Sequence, residues 1–258
     1  MWREVCHHRR VHWVWIVLIG AGVGFLGGMF GKGGSAIATP LLAAVGVPKL
    51  IAVASPLPAT VPGTLVAYRS YHGSGLSDHR IIRWSLIYGI PATVLGALIT
   101  RWIGGEFLVK FTDVVVAILG VRIIVQTIRH SQTQAGPETT DTMGRLAGVA
   151  VAVGFLAGLL ANAGGFLLVP LYLAVLNLPI KKALACSLAV ASVLALPGTI
   201  VHAALGHVDW LVTLVFGSAS IPLSGLGART AVRMDPARLE WIYGAGLVVL
   251  GVGLFFVG

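Results

Sequence analysis

The sequence predicts an all-α, polytopic membrane protein made of two homologous repeats of about five apolar segments each, set in inverted orientation, with short half-helices following glycine-rich turns. Three observations carry this prediction. Hydrophobic residues make up 57% of the 258 before the 34 glycines are counted, and charged residues only 10%, where a soluble domain carries about 25%. Apolar stretches near or above the roughly 20 residues needed to cross a bilayer recur along the whole chain. Residues 24–41 reappear at 154–171 with a constant offset of 130.

The first unit is predicted to hold apolar segments at 12–30, 36–47, 50–69, 83–100 and 107–127. The first begins like a signal peptide, with Arg3, Arg9 and Arg10 before the apolar run and Ala36-Ile37-Ala38 as a cleavage motif. That run is too long for a signal and more spans follow, so it is read as a retained helix. The second segment, some 18 Å long as a helix, is too short to span alone. It fits a half-helix reached through unwound backbone, which membranes tolerate where that backbone is buried in protein or lines a polar cavity. The polar stretch 129–145, with Gly136-Pro137-Glu138, reads as a linker. The second unit then holds segments at 145–161, 165–177, 182–205, 210–230 and 239–257. The division is therefore an N-terminal repeat over 1–128, a linker over 129–145 and a C-terminal repeat over 146–258.

The repeat is an ordered string of matches. Gly24, Phe25, Leu26, Gly28, Gly34, Pro40 and Leu41 pair with Gly154, Phe155, Leu156, Gly158, Gly164, Pro170 and Leu171. With one residue inserted the register continues through Pro48 and Pro179, Ala52 and Ala183, Ala54 and Ala185, and Pro91 and Pro222. Glycine and alanine matches are common in such a composition, but three prolines in register are not.

Charge between the segments bears on how the two units face. Five crossings per unit and an outside N-terminus place eleven basic residues inside (Lys32, Arg69, Arg80, Arg83, Arg129, Arg145, Lys181, Lys182, Arg229, Arg233, Arg238) and six outside. Four crossings with an inside N-terminus give eight against nine, which is no bias. Inverted repeats are favoured.

The net charge of +9 does not indicate nucleic acid, because the basic residues are scattered between apolar segments rather than gathered in a stripe. Cys6 and Cys186 show neither disulfide nor metal spacing. Ser187 and His202 lie about 22 Å apart on one straight predicted helix, so they form no catalytic dyad. An enzyme is not expected, nor a cofactor or a metal. Glu106, Asp209, Asp235 and Glu240 read as loop or helix-end residues, and His202 as a histidine bonded to a neighbouring helix.

The candidate site lies where the repeats agree and the helices break. The stretch Phe30-Gly31-Lys32-Gly33-Gly34-Ser35 leads into one short apolar segment, and Ala161-Asn162-Ala163-Gly164-Gly165 into the other. A glycine-rich turn opening a helix exposes backbone N–H groups and the positive end of the helix dipole, which together suit an anion. Two such turns would face a common site near the midplane; otherwise the glycines serve only close packing. Lys32 would neutralise a bound anion if it sits at membrane depth, or orient the chain if it sits near the surface. Ser55 and Ser187, placed near the helix breaks, offer hydroxyls to anion oxygens or bond their own helix carbonyls. The expected substrate contacts are Lys32, Gly33, Gly34, Ser35, Ser55, Asn162, Gly164, Gly165 and Ser187.

Gly24-Phe25-Leu26 running through a glycine turn to Pro40, Ala52-Val53-Ala54-Ser55, and Pro91 through Leu95-Gly96-Ala97, with second copies at Gly154 to Pro170, Ala183 to Ser187 and Pro222 to Ala228, resemble the repeated pattern of the sulfite exporter TauE/SafE family. The resemblance covers nearly the whole chain beyond the first ten residues. It implies a permease of the cell membrane, in bacteria the inner membrane, that moves small sulfur-containing anions such as sulfite, sulfonates or thiosulfate, usually outward. The chain departs from the family at Lys32, where an uncharged residue is more usual, and at Ala163, where one glycine is missing. The alternative is a transporter or channel for another small anion or solute. The expected partners are the anion and the lipid bilayer, with a homo-oligomer left open.

Overall fold

A computed structural model describes residues 13–31, 35–99, 142–159 and 165–257, and all regular structure within them is helical. In chain order the helices are α1 (Trp13–Phe30), α2 (Ser35–Ala44), α3 (Lys49–Ala54), α4 (Pro56–His72), α5 (His79–Ile99), α6 (Thr142–Leu159), α7 (Gly165–Leu176), α8 (Ile180–Ala204), α9 (Trp210–Arg233) and α10 (Pro236–Val257). The apolar segment expected at 107–127 and nearly all of the expected linker lie outside the described residues.

Trp13–Phe30, Ile51–His72, Ile180–Ala204 and Trp210–Arg233 are each long and apolar enough to cross a bilayer. Large apolar side chains such as Val14, Ile200, Leu214 and Val249 are two-thirds exposed. In water that surface would be costly, whereas against lipid tails it is not, so the chain is a multi-pass membrane protein.

The helix that carries Ser55 is continuous. Ser55 has right-handed helical angles (φ −65°, ψ −28°), and its N–H bonds Ile51 O at 2.9 Å. Only the hydrogen-bond ladder is interrupted between α3 and α4, because Pro56 and Pro58 have no N–H to give. The prolines remove donors without turning the chain, and Ile51–His72 runs as one span. Ser187 likewise lies within the unbroken helix α8.

Contacts between helices fix their directions. Along α1 and α9, Gly20 faces Phe216, Gly24 faces Ser220 and Gly28 faces Ser224, so the two run parallel. A Cβ on any of these glycines would enter the backbone of α9, so only glycine allows this approach. Helices α4 and α9 are also parallel: Ser55 meets Asp209, Ala59 meets Gly217, and Ser224 Oγ donates to Gly63 O at 2.7 Å. Helix α8 opposes α4, with Leu57 against Gly198 and Val61 against Ala191 and Ala195.

Since α1 and α4 point the same way, the short helix α2 must carry the chain back between them. It ends at Gly46 (φ +93°), while the equivalent short helix α7 ends at Asn177 (φ +50°). These are the two residue types that best adopt the left-handed stop. Pro48 and Pro179 follow, each preceding the next helix.

Candidate functional site

The two short helices place their N-termini deep in the bundle. Helix α2 has 10 residues, about 15 Å, and runs out to the end where α3 starts. Helix α7 has 12 residues, about 18 Å, and runs to the opposite end, where α8 starts. Helix α8 has 25 residues and is about 37 Å long, so both α2 and α7 begin near the middle of the bundle's height. Ser35 opens α2, and the buried Gly165 opens α7. Lys32, Gly33, Gly34, Asn162 and Gly164 lie outside the described residues.

Ser187 is brought to the first turn. Its Oγ lies 3.1 Å from Gly31 O and 3.0 Å from Leu184 O, a single hydroxyl proton shared between a neighbouring helix and its own. Gly31 is buried at φ +68°, and a Cβ there would stand 2.6 Å from that Oγ. Glycine is required on both counts. Ser187 is seven residues into α8, about 10 Å from that end of the bundle.

Ser55 serves elsewhere. Its Oγ accepts from Asp209 N at 3.0 Å and its carbonyl from Thr213 Oγ1 at 2.8 Å. Asp209 in turn caps α9, its Oδ1 accepting from Leu211 N and Val212 N. With α4 and α8 antiparallel, Ser55 and Ser187 are separated by about 19 Å along the bundle. The two serines therefore belong to opposite ends and do not converge on one ligand.

Between them, α1, α4, α8 and α9 enclose a small cavity of about 30 Å³ walled by Gly24, Gly28, Gly63, Thr60, Thr64, Ser220 and Ser224. Thr60, Thr64 and Ser224 each donate to a backbone carbonyl one turn back or across the helix pair, leaving oxygen lone pairs toward the space. The cavity has room for about one water and none for an oxyanion. Sequence reading missed Ser220 and Ser224. Their signal was spacing: Gly20, Gly24 and Gly28 recur every four residues opposite Phe216, Ser220 and Ser224.

Among the described residues the ends differ in charge. Helix directions put Arg69, Arg80, Arg83, Lys181, Lys182, Arg229, Arg233 and Arg238 toward the end formed by the α4–α5, α7–α8 and α9–α10 connections, and Lys49 at the other. At the basic end Lys182 Nζ pairs with Asp78 Oδ2 at 2.7 Å, and Lys181 Nζ donates to Val232 O at 2.7 Å. Burial pushes the Asp78 carboxyl up, but Lys182 and the N–H groups of Ile81 and Arg80 together hold it below its ordinary value. Asp78 was passed over in the sequence because nothing local ties it to Lys182. At the other end His202 Nδ1 lies 3.3 Å from His207 Nδ1. The partner expected on a neighbouring helix is instead in the loop after its own. Asp235 caps α10 through Ala237 N and Arg238 N, a helix-end role as read. Among the described residues no three of His, Cys, Asp and Glu are grouped to hold a metal.

The model of the family described as "Sulfite exporter TauE/SafE" matches residues 16–254. A "Probable membrane transporter protein" of Xylella fastidiosa (strain 9a5c) is 29% identical over 255 residues, covering 94% of each chain. "Probable membrane transporter protein YjnA" of Bacillus subtilis (strain 168) is 26% identical over 251 residues, covering 93% of this chain and 98% of its own. "Probable membrane transporter protein MJ0441" of Methanocaldococcus jannaschii is 24% identical over 259 residues, covering 92% of this chain and 93% of its own. No solved structure gives a significant match.

Proposed function

Because the chain belongs to the sulfite exporter TauE/SafE family and is a membrane transporter, we propose that it exports small sulfur-containing anions such as sulfite, sulfonates or thiosulfate across the cell membrane. The observation that carries this reading is the pair of short helices whose N-termini start at mid-height from opposite ends. Partial positive charge at helix N-termini stabilises an anion without a buried countercharge. An anion leaving a cell that is negative inside gains about 2.3 kcal/mol per charge per 100 mV, so a facilitated path suffices.

Two inverted halves support the same reading. Parallel α1 and α4 require α2 to recross between them, and α4 and α8, equivalent under the repeat, run in opposite directions. Gly24 packs on Ser220 as Gly154 packs on Gly89, and these pairs exchange under the sequence offset of the repeat. Among the described residues most of the basic ones gather at one end, as on the cytoplasmic face of a membrane protein. In this arrangement Lys32, Gly33 and Gly34 precede α2 while Asn162 and Gly164 precede α7, so each set belongs to one half-helix.

Flux of labelled anions into proteoliposomes tests the reading. Gly34→Val and Gly164→Val are expected to abolish flux with the protein still inserted, because a branched Cβ blocks approach to backbone N–H groups. Lys32→Ala is expected to weaken sulfite more than a monovalent sulfonate, since the lost Coulomb attraction scales with ligand charge. Intact flux in both glycine variants, with unchanged affinities in Lys32→Ala, would place the site away from these turns.

A further inference from the structure

A second cavity, of about 340 Å³, lies at the basic end. Three connections meet around it: Gly75 to Ser77 between α4 and α5, Pro179 to Lys182 at the start of α8, and Pro236 at the start of α10. Gly75 turns the first connection at φ +70°. Pro179 gives α8 no side-chain cap, and the first turn of that helix borders the space.

The charges in this wall do not cancel. The Asp78 carboxylate is fully engaged, taking Lys182 on Oδ2 and the N–H groups of Arg80 and Ile81 on Oδ1. Lys182 is thereby neutralised. Lys181 donates to a neutral acceptor, Val232 O, so no carboxylate offsets it and it has two further N–H donors to offer. Ser77 adds a hydroxyl, held 2.8 Å from His72 Nδ1.

We propose that this cavity is a loading site for the transported oxyanion, with Lys181 as the cation that receives it and the Asp78–Lys182 pair setting how strongly it is held. The inference rests on the proposed export of sulfur oxyanions and adds a station to it. An anion reaching the basic end meets Lys181 and the first turn of α8 before it reaches the small central cavity. The surrounding arginines raise the local anion concentration, an effect screened over about 10 Å at 0.1 M salt. Because the site is wide and one-sided it binds weakly and releases readily, as a path for outward movement needs.

The test uses the whole protein in proteoliposomes and compares sulfite with a monovalent sulfonate. Lys181→Gln is expected to raise the half-saturating sulfite concentration about three- to tenfold with little change in maximal rate, and to affect the sulfonate less. Lys181→Arg, which keeps the charge and the donor to Val232 O, should stay within about twofold of wild type. Asp78→Asn should move the other way: the amide still caps α5, Lys182 is released, and half-saturation falls. Tightening in one variant and weakening in the other, both diminishing as salt rises, is not something a purely structural role produces. Saturable wild-type flux with unchanged half-saturation in Lys181→Gln and Asp78→Asn would overturn the loading site alone. Absence of saturable flux in the wild type would overturn the underlying reading of function.

Discussion

Exchanging Gly24 for alanine adds one methyl group, and the structure says where it goes. The new Cβ would stand 2.5 Å from the Ser220 Cα and 2.7 Å from its carbonyl carbon, against ordinary contacts of about 3.5 Å. Backbone cannot rotate away as a side chain can, so α1 and α9 must separate by about 1 Å. Separation is felt along the whole pair, because Gly20, Gly28 and Gly227 make equally close backbone approaches. Overpacking of this kind costs about 1–3 kcal/mol. Gly22 is the internal control: it lies on the same helix, and a Cβ there meets nothing within 4 Å. Gly22→Ala should gain about 1 kcal/mol from helix propensity, a gain that Gly24→Ala shares, so the two alanines should differ by the overpacking cost of about 1–3 kcal/mol. Thermal unfolding in detergent, followed by loss of the monodisperse peak on gel filtration, reads the difference. The same contrast is expected between Gly154→Ala, which would enter the backbone at Gly89, and Gly148→Ala, which is open. If Gly24→Ala proves as stable as Gly22→Ala, the close approach of α1 to α9 is wrong, and with it the helix directions drawn from that contact.

Three further outcomes are expected. Gly31→Ala combines strain at φ +68° with a clash on Ser187 Oγ, and should lose flux far more than Ser187→Ala, which removes one shared hydroxyl bond worth about 1 kcal/mol; equal losses would deny Gly31 its special backbone. Because the Asp78 carboxyl is held below its ordinary value in the folded protein, its contribution is present at neutral pH and is lost as pH falls below about 4. An acid titration of unfolding should show a step there that Asp78→Asn lacks, and an identical profile for both proteins would remove the ion pair from the account. Single cysteines at Ser77 and Ala237, in a protein lacking Cys6 and Cys186, should both be shielded from an impermeant thiol reagent in intact cells; labelling of only one would break the inverted arrangement.

How much of this was legible in the sequence follows from how local each signal is. Segments bounded by Gly, Pro and hydropathy were placed closely: 12–30 was expected where α1 covers Trp13–Phe30, and 165–177 where α7 covers Gly165–Leu176. The α4–α5 connection was expected wider than it is. Hydropathy falls at Arg69 and Arg80, but the helices continue to His72 and start at His79, since polar helix ends stay helical outside the lipid. The segment expected at 50–69 contains Pro56 and Pro58, and the angles at Ser55 stay helical because proline removes a donor before it bends a chain that neighbours hold. The partners of Ser187, Ser55 and Asp78 could not be read at all. Gly31, Asp209 and Lys182 lie 156, 154 and 104 residues from them, and no periodicity reports a pairing across helices.

The most direct test of the account is the initial rate of sulfite efflux from proteoliposomes holding the purified protein, measured against sulfite concentration at an imposed potential. The account predicts efflux that depends on the protein, saturates, and speeds up when the interior is made negative, with sulfonates and thiosulfate competing. Efflux that is no faster than from empty vesicles, or that rises linearly without saturation and ignores the competitors, would contradict it.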